Sequence, residues 1–444
     1  MSLKFGTDGV RGVANVELTP ELALSLGRAA GRVLGGTRWV VGRDTRQSGA
    51  MLTAALAAGL ASEGIDVTDL GVLPTPGVVF LAAEDDRPAA MISASHNPFG
   101  DNGIKLFASG GRKLTDEVEA AVEAELVALG TLVDGRSRPE GAAVGVVDPD
   151  PTAITRYLDH LGGALEGRRL DGLRVVADTA NGAASHLAAR VLTDLGATVV
   201  SIHDAPDGTN INDRCGSTHP ADLQAAVVAH GAHIGLAFDG DADRVLAVDA
   251  SGSLVDGDHI IAICAVDLHE RGVLANDTVV VTVMSNLGFR QAMGARGIDV
   301  IVTDVGDRHV LGAMDSGGHI LGGEQSGHVI FRRLASTGDG LLTGLCVLDV
   351  MARTGKPLAE LAAVMTRLPQ VLVNVRTPVR DPDLVHKLGP ALARVKAGLG
   401  DRGRVLLRPS GTEPLMRVMV EAPTHEEAAA AAETLAAAVR TLVA

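Results

Sequence analysis

Short β-branched runs alternate with longer Ala/Leu-rich runs along the whole chain, and that alternation most narrows the folds open to it. Trp39-Val40-Val41 leads into Gly42-Arg43-Asp44, and a helix is predicted from about Ala50 to Glu63, closed by Gly64. Arg174–Asp178 leads into Thr179-Ala180-Asn181-Gly182 and a second helix; Val279–Thr282 leads into Met284-Ser285-Asn286-Leu287-Gly288 and a third. At 444 residues the chain exceeds the size at which one core stops growing, about 250–300 residues. The pattern therefore predicts an α/β protein: three similar mixed α/β domains plus a smaller C-terminal α+β domain, around a central cleft.

The predicted boundaries are 1–150, 151–252, 253–368 and 369–444. They rest on polar stretches at 134–141 and Asp148-Pro149-Asp150-Pro151, and on weaker breaks near Asp249–Gly257 and Leu368–Val371. Helix starts are legible at Thr19-Pro20-Glu21, a cap residue before an N1 proline, and at Thr424–Glu427, which has capping-box spacing.

Hydrophobic residues make up 46% of the chain and aromatics only 2%, so the cores are built from Ala, Val, Leu and Ile, and a base-stacking platform for nucleic acid is disfavoured. A net charge of -15 also argues against a phosphate-backbone binder, although a few local cations suffice for a small phosphate ester. Cys215, Cys264 and Cys346 are odd in number and widely spaced, which fits a reducing compartment. Neither an apolar leader nor an 18-residue apolar run is present, so the expected location is cytoplasmic, away from membranes.

Four times, an apolar run delivers a dense loop of small and polar residues. In α/β proteins ligands gather at the carboxyl ends of strands, so these loops are candidates to line one cleft. In Asp239-Gly240-Asp241-Ala242-Asp243-Arg244, three carboxylates at alternate positions call for a cation, and a hard divalent ion such as Mg²⁺ suits oxygen ligands. An EF-hand would need Gly at Arg244 and Glu at Ala250; the bland alternative is a solvated acidic turn. Ser93-Ala94-Ser95-His96-Asn97-Pro98 offers a nucleophile, but no G-x-S-x-G elbow surrounds it. Downstream, Lys105 is a candidate acid or base. Arg408-Pro409-Ser410-Gly411-Thr412-Glu413-Pro414 carries the ingredients of a phosphate cradle without being a Walker A loop. Glu324-Gln325-Ser326-Gly327-His328 suits sugar hydroxyl or amino groups, or serves merely as a capping turn.

Together with Gly6-Thr7-Asp8-Gly9-Val10-Arg11-Gly12, these loops, in this order and spanning essentially the whole chain, resemble the α-D-phosphohexomutases. The resemblance implies that Ser95 carries a transferable phosphoryl group, and that Asp239, Asp241 and Asp243 hold one Mg²⁺ together with it. Glu324, Ser326 and His328 would contact the sugar, while Arg408, Ser410, Gly411, Thr412 and Arg417 would grip the phosphate that stays in place. Arg11, Lys105 and Arg244 would add positive charge, with Arg11, Lys105 and His328 joining Ser95 in catalysis. Gly323–His328 and Val305-Gly306-Asp307-Arg308 look like the branch that acts on glucosamine phosphates, though His309 stands where that branch carries Tyr.

The implied reaction interconverts glucosamine 6-phosphate and glucosamine 1-phosphate through a hexose 1,6-bisphosphate and supplies UDP-N-acetylglucosamine synthesis; a homodimer is the implied assembly. The alternatives are glucose or mannose phosphates as substrates, a metal-dependent phosphatase, and a sugar-phosphate-binding protein without catalysis.

Overall fold

The computed structural model describes residues 9–131, 138–377, 383–409 and 414–443. They form two compact units, one from residues up to Met284 with Ile298–Val364, the other from Ser285–Gly297 with Met365 onward.

The first unit contains three sheets. The first holds β1 (Val10–Val13), β2 (Arg38–Arg43), β3 (Asp66–Val72), β4 (Ala89–Ile92), β5 (Asp101–Ala108), β6 (Arg112–Lys113) and β7 (Val147–Pro149), in the order β1-β5-β4-β2-β3-β7 with β6 on β5. Strands β2, β3, β4 and β7 are parallel. Their apolar runs follow from burial on both faces: Val40, Val41 and all of Ala89–Ile92 are inaccessible to solvent.

The second sheet holds β8 (Arg174–Asp178), β9 (Thr198–Ile202), β10 (Ile234–Phe238), β11 (Val245–Asp249) and β12 (Leu254–Val255), in the order β12-β11-β10-β8-β9. The third holds β13 (Thr278–Thr282), β14 (Asp299–Thr303), β15 (Leu321–Gly323) and β16 (Val329–Phe331), in the order β14-β13-β15-β16.

One device recurs in all three sheets. A buried parallel strand ends, a polar loop follows, and the chain returns antiparallel: β4 to β5, β10 to β11, β15 to β16. The Ser95, Asp239 and Glu324 loops occupy these three turns.

The second unit is a three-stranded antiparallel sheet of β17 (Gln370–Arg376), β18 (Arg404–Pro409) and β19 (Leu415–Glu421), with β19 central. Val375, Met416, Val418 and Val420 pack with Ala432, Leu435 and Val439 of the helix His425–Val443. The helix Leu287–Gly294 lies between β13 and β14 in the chain but belongs to this unit. Its Leu287 N–H donates to the buried Glu421 carboxylate at 2.8 Å, which also accepts from Arg404 Nε and Nη2 at 3.0 and 2.7 Å.

The predicted caps are present: Thr19 Oγ1 accepts from Leu22 N at 3.3 Å, and Thr424 Oγ1 from Glu427 N at 3.2 Å. Two stretches expected to be linkers are sheet edges. Val147–Pro149 pairs parallel with β3, and Pro149 is tolerated because β7 is the outermost strand. Residues 249–255 make the hairpin between β11 and β12. Among the described residues no helix is long and apolar enough to cross a membrane.

A buried carboxyl anchors the helix Gly340–Thr354. Asp339 Oδ1 accepts from Leu342 N at 2.9 Å and Oδ2 from the Tyr157 hydroxyl at 2.9 Å. Burial nevertheless pushes this carboxyl up to about 6, so the folded state holds its proton more tightly than the unfolded chain does. Stability is therefore lost as pH rises from about 4 to about 6, on the order of 3 kcal/mol from this group. Asp339→Asn keeps the capping oxygen and removes the titration. Its urea midpoint, measured against the parent between pH 4 and 7, should decline less with pH; parallel curves would refute the assignment.

Candidate active site

Between β4 and β5 the chain turns through Ser95, whose φ of +53° is left-handed, a conformation costing a non-glycine residue roughly 1–2 kcal/mol. Ser95 is buried, and its Oγ donates to Asp239 Oδ2 at 2.6 Å. With that hydrogen committed, the 3.3 Å contact between Ser95 Oγ and His96 Nδ1 is made by the ring donating. Burial first, then the Arg244 and Arg11 cations, lower the pKa of His96, which keeps that ring neutral.

The Asp239 loop turns between β10 and β11 with Ala242 at φ +55°. Asp239, Asp241 and Asp243 are all buried and each offers an oxygen within 4.8 Å of the others. Burial and the two neighbouring negative charges push Asp239 well above the usual carboxylate range. Burial acts on Asp243 in the same direction, but Lys105, His328 and Arg244 together outweigh it and hold that carboxyl well below the range. Asp241 Oδ2 accepts from Lys105 Nζ at 2.8 Å and from Thr75 Oγ1 at 2.6 Å, and Lys105 Nζ is 3.7 Å from Asp243 Oδ2.

Two oxygens, Asp241 Oδ1 and Asp243 Oδ1, are buried with no hydrogen-bond partner. A buried carboxylate oxygen that accepts no hydrogen bond is costly. Two of them, beside Asp239 and the Ser95 hydroxyl, form an all-oxygen donor set that fits a divalent metal ion.

The glycine in this loop is needed for close approach: a Cβ at Gly240 would stand 2.6 Å from Ser95 O and 2.8 Å from Asn212 Nδ2. Next in the loop, Arg244 N donates to Asp239 Oδ1 at 3.2 Å, and its Nε lies 3.7 Å from Asp243 Oδ1.

The turn between β15 and β16 joins the same cluster. A Cβ at Gly327, φ +93°, would stand 2.2 Å from Val245 O, immediately after the acidic loop. His328 Nδ1 is 3.6 Å from Asp243 Oδ2, and Gly338 N donates to His328 Nε2 at 3.1 Å, which places the ring proton on Nδ1. Burial opposes protonating this ring further, but Asp243 and Asp307 raise its pKa on balance. Glu324 is half-buried, accepting from Gly306 N at 3.0 Å and from Ser326 Oγ at 3.3 Å.

Ser95, Lys105, Asp239, Asp241, Asp243, Arg244 and His328 thus come together in the first unit, with Glu324 and Ser326 on the loop that ends at His328. Arg11, exposed on β1 opposite Gly103, is close enough to act on His96. In the second unit Arg408 and Arg417 are direct cross-strand partners at the exposed end of β18 and β19. Gly6–Asp8, Ser410, Gly411 and Thr412 lie outside the described residues. His309 is exposed on the helix Asp307–Gly317.

Several participants were missed in the sequence. Thr75 belongs to no dense polar loop, whereas Asn212 sits in one, residues 207–219, shortly after the apolar run Thr198–Ile202, and that pattern was the available signal. Lys113 pairs with Asp307, whose Oδ2 is also 3.7 Å from His328 Nε2. Arg46 follows the run Trp39-Val40-Val41, and that strand-then-polar-loop pattern was the available signal.

Four family models match in succession: phosphoglucomutase/phosphomannomutase alpha/beta/alpha domain I over residues 2–130, domain II over 155–252, domain III over 256–368 and the C-terminal domain over 372–438. The chain belongs to the phosphoglucomutase/phosphomannomutase family. Proteins named phosphoglucosamine mutase from Frankia casuarinae and Rhodococcus opacus are 58% and 57% identical to this family member, over 98% and 99% of both chains.

Among solved structures, a phosphoglucomutase/phosphomannomutase family protein from Burkholderia thailandensis aligns with a TM-score of 0.80 at 26% identity, covering 98% of this chain and 97% of the other. An Aspergillus fumigatus N-acetylphosphoglucosamine mutase in complex with GlcNAc-6P and magnesium shares the fold, with a TM-score of 0.70 at 20% identity over 100% and 96%.

Altering one member of this donor set tests its fitness for a metal ion directly. Asp241→Asn should weaken divalent-ion binding at least about tenfold by calorimetry, with the circular dichroism spectrum unchanged. Undiminished affinity would place the ion elsewhere.

Proposed function

We propose that this isomerase interconverts glucosamine 6-phosphate and glucosamine 1-phosphate, with Ser95 carrying the phosphoryl group between turnovers. The observation that carries the reading is the Ser95 hydroxyl bonded to Asp239 within a buried carboxylate cluster, with Lys105 alongside. Relatives at 54–58% identity along nearly the full chain, all named phosphoglucosamine mutase, support the amino-sugar assignment. The cation would be Mg²⁺, held by Asp239, Asp241, Asp243 and the phosphorylated Ser95; when bound, it neutralises charge on the transferring phosphoryl group.

In the first half-reaction the P–O bond to Ser95 Oγ breaks and one to the sugar 1-hydroxyl forms, giving a bound 1,6-bisphosphate; the hydroxyl proton passes to a basic group of the site. The bisphosphate turns over, its 6-phosphoryl returns to Ser95 Oγ, O6 regains a proton, and the 1-phosphate leaves. Hexose 1,6-bisphosphate also primes enzyme that has lost its phosphoryl group. Phosphoryl transfer is loose and needs positioning and cations more than covalent help; Lys105 and Arg244 supply fixed positive charge at the cluster, and Arg11 adds a further cation nearby.

Glu324, Ser326 and His328 would hold the sugar. On the second unit, Arg408 and Arg417 stand directly opposite on adjacent strands, so two guanidinium groups can serve one anion. Arg408 and Arg417, with the connecting loop of Ser410, Gly411 and Thr412, would bind the phosphate that is not being transferred. Three unpaired cysteines accord with a cytosolic setting.

Purified protein, Mg²⁺ and a trace of glucose 1,6-bisphosphate should convert glucosamine 6-phosphate faster than glucose or mannose 6-phosphate. Ser95→Ala should lose turnover by roughly 10³-fold or more while still binding substrate. Preference for another hexose would overturn the substrate, and near-normal turnover of Ser95→Ala the mechanism.

A further inference from the structure

We infer that Arg46 and Asn212 form a clamp on the main chain of the Ser95 loop, holding Ser95 Oγ in line for transfer without touching substrate. The inference rests on the reading of Ser95 as phosphoryl carrier and adds two positioning residues to it.

The Arg46 side chain has no exposure to solvent and is paired with the equally buried Asp44. All five guanidinium donors are committed. Nε donates to Asp44 Oδ2 at 2.9 Å; Nη2 donates to Ser95 O at 3.0 Å and Asn97 O at 2.8 Å; Nη1 donates to Asp101 O at 3.1 Å and to Pro98 O. Four of the five bonds fall on carbonyls of the Ser95 turn and of Asp101, where β5 begins, so none is left to bind a ligand.

Asp44 Oδ2 also accepts from Ser93 Oγ at 2.6 Å, and Ser93 Oγ in turn accepts from Ser95 N at 2.9 Å. Ser95 is thus held at both its N–H and its carbonyl. From the second sheet's domain, Asn212 Nδ2 donates to the same two carbonyls, Ser95 O at 2.9 Å and Asn97 O at 3.0 Å.

Ser95 needs such support because its left-handed backbone is unfavourable and persists only when neighbours over-determine it. The clamp grips peptide groups and leaves Oγ alone, so it is the same whether Oγ carries hydrogen or phosphoryl. Lysine, with three donors on one nitrogen, cannot reproduce the planar fork.

The test compares Arg46→Lys and Asn212→Ala with the parent and with Ser95→Ala. Misplacing a reacting group by about 1 Å can cost on the order of 100-fold in rate. Arg46→Lys should lower kcat roughly 10–100-fold and Asn212→Ala roughly tenfold, with KM for glucosamine 6-phosphate within about twofold. The half-life of phosphorylated Ser95, followed by intact-mass spectrometry, should change in both variants.

A merely structural role would lower the melting temperature and leave kcat per folded molecule and the phosphoserine half-life as in the parent; that result would overturn the clamp, as would a change confined to KM. Should Arg46→Lys fail to fold, Asn212→Ala decides by the same criteria. Turnover by Ser95→Ala would instead dismiss the carrier role itself, a separate outcome.

Discussion

Three buried carboxylates within 4.8 Å of one another are the constraint on which the rest of the first unit depends. Like charges in a low-dielectric interior repel strongly, and the fold answers with cations and donors from every direction. Lys105 comes from β5, Arg244 from the acidic loop itself, His328 from the third sheet, and Thr75 from the start of a helix after β3. The contacts from Lys105, Thr75 and His328 cross between segments far apart in sequence, so the cluster also links the three sheets of this unit. The same crowding leaves two oxygens without a hydrogen bond, and that unmet acceptor capacity makes the centre competent to hold a metal.

Much of this was legible beforehand because the chemistry is concentrated in short stretches. The alternation of apolar strand and polar loop located three turns that the sheets place equivalently, and the caps at Thr19 and Thr424 fell where side-chain oxygens and proline demanded. What escaped was contributed singly. Thr75 and Asn212 each act through one side chain, Asn212 as one of many polar residues in its loop, and their relevance exists only once the fold brings them beside Asp241 and Ser95. Arg46 reads in sequence as an ordinary charged residue after a strand; only its complete burial reveals that it serves the main chain.

The stretches 148–151 and 249–257, expected as breaks between domains, also pair as sheet edges, because one set of residues serves both purposes. Pro, Asp and Gly are enriched in connections between domains, but they are enriched equally in edge strands and tight hairpins. At Val147–Pro149 and at 249–255 the turn chemistry closes a sheet instead of leaving it.

The helix Leu287–Gly294 gives the second unit an ancestry in two places of the chain. The polypeptide passes between units at 284/285, 297/298 and 364/365, and the Glu421 carboxylate that caps this helix is itself a product of the last 80 residues. The C-terminal segment is therefore not a portable cassette. A chimera that exchanged residues 365–444 with a relative would pair a foreign β19 with a resident helix, and only exchanges carrying 285–297 along with it would keep donor and acceptor from the same parent.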